Sequence, residues 1–328
     1  MKKIAIIGAG MAGLTALQQL KEAGHHVTLF DKSRGSGGRM SAKMVGAASW
    51  DMGAQFMRAH TPEFQQQLQQ WQSQGWVSPW SMTPMLINKD GAQSSPDDVQ
   101  RFVGMPRMTG LSRQLVSAAD VFLTQTRIVK TKFDDHWYLT DDNDVRFGPF
   151  DGLIVNTPPL QAQPLVPTSC DFHSHLGQQE MLPCWSLLLA FQQPLDGDLA
   201  DKIEGAFVKD SPLAWISKNS AKPGRDSIQT WVIHANSAWS SSHLETPREE
   251  IISMLKEAFF DALRCSPQTP SEHWVHRWLY SIPANKLDVG AYIDESCHLA
   301  VCGDWCQSGS IEGAWLSGLA AAQPFLPD

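Results

Sequence analysis

The chain has 328 residues and a net charge of -8, from 26 Lys plus Arg against 34 Asp plus Glu. An acidic balance disfavours a nucleic-acid or anionic-membrane partner, no apolar run reaches the ~20 residues of a membrane span, and the length suits two domains with ample core. The six cysteines have no repeated CxxC spacing, and Cys302 and Cys306 match neither a zinc-ribbon nor a thioredoxin pattern, so reduced thiols, no metal site and a cytoplasmic location are expected.

The first elements are the most informative. Lys3 to Ile7 predicts a short strand, Ala12 to Ala23 a helix with Leu14, Leu17 and Leu20 on one side, and Val27 to Phe30 a second strand. Between the first two lies Gly8-Ala9-Gly10-Met11-Ala12-Gly13, with Asp31 at the tip of the second strand. Gly8 suits a tight turn, Gly10 the close approach of a pyrophosphate and Gly13 the packing of helix on strand. The phosphates then meet the helix N-terminus near Met11 and Ala12, and Asp31 is placed for a ribose. A secretory signal built on Lys2-Lys3 and the apolar run is at odds with these glycines and the strand that follows. Lys32 to Met40 is a basic loop containing Gly37-Gly38-Arg39, able to wrap amides and a guanidinium around phosphates.

Thr61-Pro62-Glu63 predicts a capped helix start with Phe64, Leu68 and Trp71 on its buried face. Pro79, Pro84 and Pro96 break the next stretch into turns and short edge strands such as Met85 to Ile87, and Thr109 is expected to cap a helix. Val121 to Leu123, Arg127 to Phe133 and Trp137 to Thr140 read as a β-meander, and Leu153 to Val155 as a buried parallel strand ending at Thr157-Pro158-Pro159. Further strands are expected at Cys184 to Phe191, at Phe207 and Val208, and at Ala214 to Ile216, Ile228 to His234 and Trp274 to Tyr280. Thr246-Pro247-Arg248-Glu249 has the pattern of a capping box. Leu299 to Cys302 predicts a last strand, followed by Gly303-Asp304 and a helix opening at Ser308 to Ala314.

Asp31 followed by Gly37-Gly38-Arg39 resembles the second signature of the flavin-containing amine oxidases and related FAD oxidoreductases, and Asp51-Met52-Gly53-Ala54-Gln55-Phe56 resembles their next block. The resemblance implies non-covalent FAD, with Lys32 and Gly38 in its phosphate loop, Arg39 against the pyrophosphate, and Gln55 and Phe56 near the isoalloxazine ring. It further implies Ile128 near the adenine, Thr157 where the chain leaves the FAD domain, Asp304 at the ribityl-pyrophosphate region, and helix amides near Ile311 directed at the pyrimidine edge.

Pro183-Cys184-Trp185, Trp231 to Ala235 with Trp239-Ser240, and His276-Arg277-Trp278 resemble the bacterial renalase branch. That implies an α/β fold of p-hydroxybenzoate-hydroxylase-like two-domain architecture, with a discontinuous Rossmann-type FAD-binding domain (1–74, 101–159 and 284–328) and an α+β substrate domain (75–100 and 160–283). It also implies a dinucleotide substrate and O2 as partners: 2- or 6-dihydro isomers of NAD(P) are oxidised to NAD(P)+ and O2 becomes H2O2. His234 and Arg277 are candidates for orienting that substrate, with Trp185 and Trp278 as walls. The sequence shows no nucleophile–base pair, and hydride removal from a dihydropyridine requires none. An amine oxidase or desaturase, and a non-catalytic FAD-binding sensor, are the competing readings.

Overall fold

The computed structural model describes residues 1–225 and 228–327. β1 (Lys3–Ile7) and β2 (His26–Phe30) are parallel neighbours, with Ile6 opposite Leu29, and helix α1 (Met11–Glu22) crosses between them. They sit in a six-stranded sheet ordered Tyr292–Asp294, Leu299–Val301, Gly152–Val155, β1, β2, Val121–Leu123, in which only Tyr292–Asp294 runs antiparallel to its neighbour. Alternate residues of β1 serve the two faces. Ile4 and Ile6 pack with Leu14, Leu17 and Leu20 of α1 and with Ala321 of the C-terminal helix Ile311–Ala322, whereas Ala5 and Ile7 pack with Trp137 and Leu139.

That second face is covered by an antiparallel meander of Ile128–Asp134, His136–Asp141 and Arg146–Phe150. Val121–Leu123, expected as its first strand, instead pairs with β2 in parallel, Thr28 opposite Val121. Its apolar residues complete the parallel sheet, and the meander starts only after the turn at Gln125, which adopts φ +52°.

The second sheet has seven strands, ordered Glu272–Pro283, Met181–Phe191, Gln229–Ala235, Leu213–Lys218, Gly205–Val208, Met85–Asn88, Gly91–Ser94. Met85–Asn88, expected at an edge, is paired on both sides. One face packs against helix Arg248–Leu263, joining Leu187, Leu189, Trp231 and Ile233 to Ile251, Leu255 and Phe259. The other receives the hairpin Ala42–Val45 and Ala48–Asp51, with Trp50 among Leu188, Ala190 and Val232. Both faces of its central strands, Met181–Phe191 and Gln229–Ala235, are therefore buried.

Three boundaries differ from expectation. Residues 160–178, expected with the second sheet, place Leu165, Val166, Cys170, Phe172 and Leu176 in the core that covers Ala5 and Val155. Thr109 lies inside the first turn of helix Met108–Val116 and does not cap it; the Asp51 carboxylate takes the Met108 amide at 2.9 Å. Pro247 is the N-cap of Arg248–Leu263 and no side chain caps that helix, so the pattern at Thr246 forms no capping box. Thr61 behaves as expected, accepting from the Phe64 amide at 3.3 Å at the start of helix Pro62–Ser73. Among the described residues no helix is long and apolar enough to cross a membrane.

Candidate active site

The glycine turn after β1 is held from beneath by a residue that the sequence does not mark. Asn156 donates its side-chain amide to the Gly8 carbonyl at 3.1 Å, and its backbone amide bonds Ile7 O at 2.7 Å. Gly8 adopts φ +102°, and a Cβ there would stand 2.1 Å from the Asn156 carbonyl oxygen; one on Gly13 would stand 2.3 Å from the Gly8 carbonyl oxygen. Gly10 is the N-cap of α1 with no side chain over the helix end, and no acid occupies the first turn. The amides of Met11, Ala12 and Gly13, which lack intrahelical acceptors by their position, therefore face an unblocked helix terminus.

Asp31 ties this turn to the next loop: one carboxylate oxygen accepts from Ala9 N and the other from Ser33 N, both at 2.7 Å. Gly37 N bonds Ala9 O at 2.7 Å, and the space beside Gly38 reaches the Gly10 Cα at 3.7 Å, so the two glycine segments touch. Lys32, expected in this cradle, is exposed and donates to Gln161 Oε1 at 3.0 Å on its outer rim. Ile128 is buried in the core with Phe30.

Arg39 and Asp304, from opposite ends of the chain, meet. Arg39 Nη1 donates to Asp304 Oδ2 at 2.7 Å and to the Ser281 carbonyl at 2.9 Å, and Nη2 bonds Asp304 Oδ1. The two expected cofactor residues form an ion pair, with the guanidinium still one-third exposed. Beside it, Thr157 O accepts from Trp305 Nε1 at 3.1 Å, while Thr157 Oγ1 is buried with no partner among the described residues. Ile311 opens the C-terminal helix, whose Ser310 cap accepts from Gly313 N at 3.0 Å. Glu312 in that first turn is occupied by His60 N at 2.9 Å and by the Thr61 amide at 2.7 Å.

The segment from Asp51 to Phe56 lies between the two sheets. Gln55 is fully engaged: its Nε2 donates to Asp51 O and Gly53 O at 2.6 and 2.9 Å, and its Oε1 accepts from Ser217 Oγ and Lys222 Nζ at 2.7 and 3.0 Å. Its side chain fastens the turn. Phe56 packs edge-on to Trp215, ring centroids 5.8 Å apart. The neighbouring Met52 carbonyl collects three donors from the second sheet: Ser186 Oγ at 2.9 Å, His234 Nε2 at 3.1 Å and Trp278 Nε1 at 3.4 Å. Burial pushes the His234 pKa down to about 4, so its ring is neutral and donates one N–H here.

Of the four substrate candidates, His234 and Trp278 thus face the Met52 turn and the other two do not. Trp185 is 2% exposed in the core under helix Arg248–Leu263, its indole N–H on the His243 carbonyl at 3.1 Å. Arg277 lies over the Trp185 ring at 5.8 Å and bonds Leu244 O and Glu245. The reason is the two-residue period of a strand: Arg277 and Trp278 are adjacent and so point to opposite faces.

Beneath the turn lies a buried ion network of which only Asp51 stands in a recognisable motif. Asp51 Oδ2 receives Arg225 Nη2 at 2.6 Å and Lys222 Nζ at 3.3 Å, all three side chains being at most 1% exposed. Burial lowers the Lys222 pKa to about 8 despite the adjacent carboxylate, while the two cations hold Asp51 below the usual carboxylate range against its own burial. Lys222-Pro223-Gly224-Arg225 reads locally as a solvated turn, so the sequence carries no signal for this role.

Glycine turns that a Cβ would fill, an unblocked helix terminus, the Asp31 carboxylate and the unpartnered Thr157 hydroxyl fit a dinucleotide laid from the β1 turn toward the Arg39–Asp304 pair. Together with the second sheet facing it, this defines the class as a Rossmann-type dinucleotide-binding protein of two sheets. Residues 6–71 match the NAD(P)-binding Rossmann-like domain and residues 97–324 the flavin containing amine oxidoreductase family. The chain belongs to that flavin containing amine oxidoreductase family, and FAD is its cofactor.

Curated relatives align only in short stretches: 4-hydroxybenzoate brominase (decarboxylating) of Marinomonas mediterranea, 48% identical over 13% of this chain and 8% of its own length, and protoporphyrinogen oxidase 2 of Arabidopsis thaliana, 39% over 19% and 12%. 4,4'-Diapophytoene desaturase of Staphylococcus aureus is 45% identical over 16% and 10%. The chain thus aligns with about a tenth of these relatives' length. In fold, it resembles wild-type putrescine oxidase (TM-score 0.74, 12% identity, 99% and 98% of the two chains). It also resembles a putative protoporphyrinogen oxidase from Exiguobacterium sp. (TM-score 0.79, 10%, 99% and 98%).

Replacing Asp31 with alanine is expected to weaken FAD binding by about 1.5–3 kcal/mol, through loss of a charge-assisted ribose bond and of the brace between Ala9 and Ser33. Flavin fluorescence titration of the apoprotein measures it; unchanged affinity in a folded variant would leave Asp31 with a structural role only.

Proposed function

We propose that the chain is an FAD-dependent oxidase of renalase type, which takes hydride from 2- or 6-dihydro isomers of NAD(P), releases NAD(P)+ and reduces O2 to H2O2. The six-stranded-sheet unit holds the cofactor and the seven-stranded sheet forms the substrate side. FAD, when bound, supplies the hydride acceptor and the reaction with O2. The observation that carries the reading is the charge beneath the Met52 turn. Lys222 and Arg225 outnumber Asp51 there, and Lys222, with its pKa near 8, is mostly protonated at neutral pH. Asp304 is paired with Arg39. A cluster with one excess positive charge suits an anionic dinucleotide.

The remaining groups orient and do not move protons. Neutral His234 and half-buried Trp278 are pinned to one carbonyl, and His276 sits edge-on to Trp278 at 4.2 Å, offering a fixed planar wall. That suffices for a reaction whose barrier is met by stacking and alignment and whose substrate aromatises without a base. Cys306 is buried in the core, which supports non-covalent attachment of FAD.

The test is anaerobic mixing of the FAD-loaded protein with isomer-containing NADH, with pure 4-dihydro NADH and with amines, following flavin absorbance. Bleaching by the 2- and 6-isomers first, and under air one H2O2 and one NAD(P)+ per O2, is the expected result. Faster bleaching by pure 4-dihydro NADH or by putrescine or another simple amine would replace this reading with a general or amine oxidase.

A further inference from the structure

Away from the cofactor side, Cys170, Asp294 and Cys297 come together under the outer edge of the six-stranded sheet. One donor atom from each, two sulfurs and a carboxylate oxygen, lies within 4.8 Å of the others. Asp294 ends the edge strand Tyr292–Asp294, and Cys297 lies in the tight turn leading to Leu299–Val301, so the two reach the same side of one hairpin. Cys170 comes from the segment that packs across the meander. We propose that these three side chains form a site for a divalent ion of the zinc class, with a water as fourth ligand.

Several features make this a built site. At ordinary zinc bond lengths, tetrahedral sulfur and oxygen donors stand roughly 3.5–4 Å apart, so closing the present cluster, whose donors lie within 4.8 Å of one another, takes a shift of roughly 1 Å. The backbone carrying the ligands is held in place: the Cys297 carbonyl accepts from buried Trp137 Nε1 at 2.6 Å, and Asp294 Oδ1 accepts from Ser296 N at 3.0 Å. Asp294 and Cys297 line a cavity of about 390 Å³ that also touches Pro167 and Ser169, which provides both an entry path and room for the water. Lys132 on the cavity wall is paired with Asp134 at 2.8 Å. All six cysteines are free, so neither thiol is consumed in a disulfide. Two thiolates and one carboxylate select a borderline-soft ion over magnesium or calcium. Loading displaces the two thiol protons to solvent and involves no redox change. Its consequence is mechanical: the ion clamps the edge hairpin to the 167–172 segment.

The experiment uses the reduced, FAD-loaded chain freed of metal with a chelator and titrated with Co2+ alone. One equivalent should produce d–d bands to the red of the flavin absorption, lost on adding one equivalent of Zn2+, and Zn2+ should raise the unfolding temperature. Cys170→Ser and Cys297→Ser should lose the bands while retaining FAD, and Asp294→Asn should weaken Co2+ at least tenfold. Should a serine variant fail to fold, alkylation of the wild type followed by peptide mapping decides, with Zn2+ expected to protect Cys297. Absence of the bands in the wild type, bands that persist in the serine variants, or alkylation of Cys297 indifferent to Zn2+ would overturn the proposal. Flavin reduction is not a readout here, so the result is independent of the proposed oxidase activity.

Discussion

Asp51→Ala should destabilise the protein by about 3–5 kcal/mol, because it strands Lys222 and Arg225 in the interior with no counter-charge. The same change removes the acceptor of the Met108 amide at the start of its helix, and so loosens the turn that presents Met52 and Gln55. Urea unfolding midpoints measure the loss. Adding Lys222→Met to Asp51→Ala should recover part of it by removing one stranded cation. A midpoint unchanged in Asp51→Ala would show that water reaches the cluster.

The network also has a pH signature. Asp51 titrates lower folded than unfolded, so its contribution is present above the ordinary carboxylate range and is lost as pH falls through the folded value. Lys222 is shifted down to about 8, so between there and the ordinary lysine value the unfolded chain binds the extra proton. Its contribution to stability therefore rises with pH across that window, and Lys222→Met should flatten the rise.

Gly8→Ala should cost on the order of 2–6 kcal/mol and abolish FAD retention. The backbone sits at φ +102°, where an L side chain is strained by roughly 1–3 kcal/mol, and the new Cβ would lie 2.1 Å from the Asn156 carbonyl oxygen, an overlap adding about 1–3 kcal/mol. Relief is possible only by parting β1 from Gly152–Val155, whose register places Ile7 opposite Val155, and that displaces the turn from the α1 terminus. Gly35→Ala is the control, since nothing lies within 4 Å of its added Cβ. Flavin content after purification and the urea midpoint should separate the two variants; equal values would mean that the turn yields at little cost.

The nucleotide end was legible in the sequence because its signals are local. A positive-φ glycine turn, a helix start without a side-chain cap and strands of continuous apolar residues are properties of neighbours in the chain, and Gly8 to Asp31 folds as that pattern predicts. Thr61 was likewise readable, since an N-cap acts over three residues. Helix starts set by distant groups were not: Met108 is held by Asp51, so Thr109 is left without the capping role that its residue type suggests.

On the second sheet the strands were recognisable and their facing was not. Both faces of the central strands are buried, one by helix Arg248–Leu263 and one by the hairpin carrying Trp50, so hydrophobic alternation there does not label which side meets the cofactor. Only the tertiary structure could therefore separate His234 and Trp278 from Trp185 and Arg277. Charge pairing depended on it as well. Arg39 with Asp304, and Asp51 with Lys222 and Arg225, are far apart in the chain, and nothing local to any of them names its partner. The sequence by itself determined the dinucleotide turn, through short-range backbone geometry, and its motifs carried the resemblance that pointed to FAD. The tertiary structure decided which side chains share the site, because faces and buried partners are set by long-range packing.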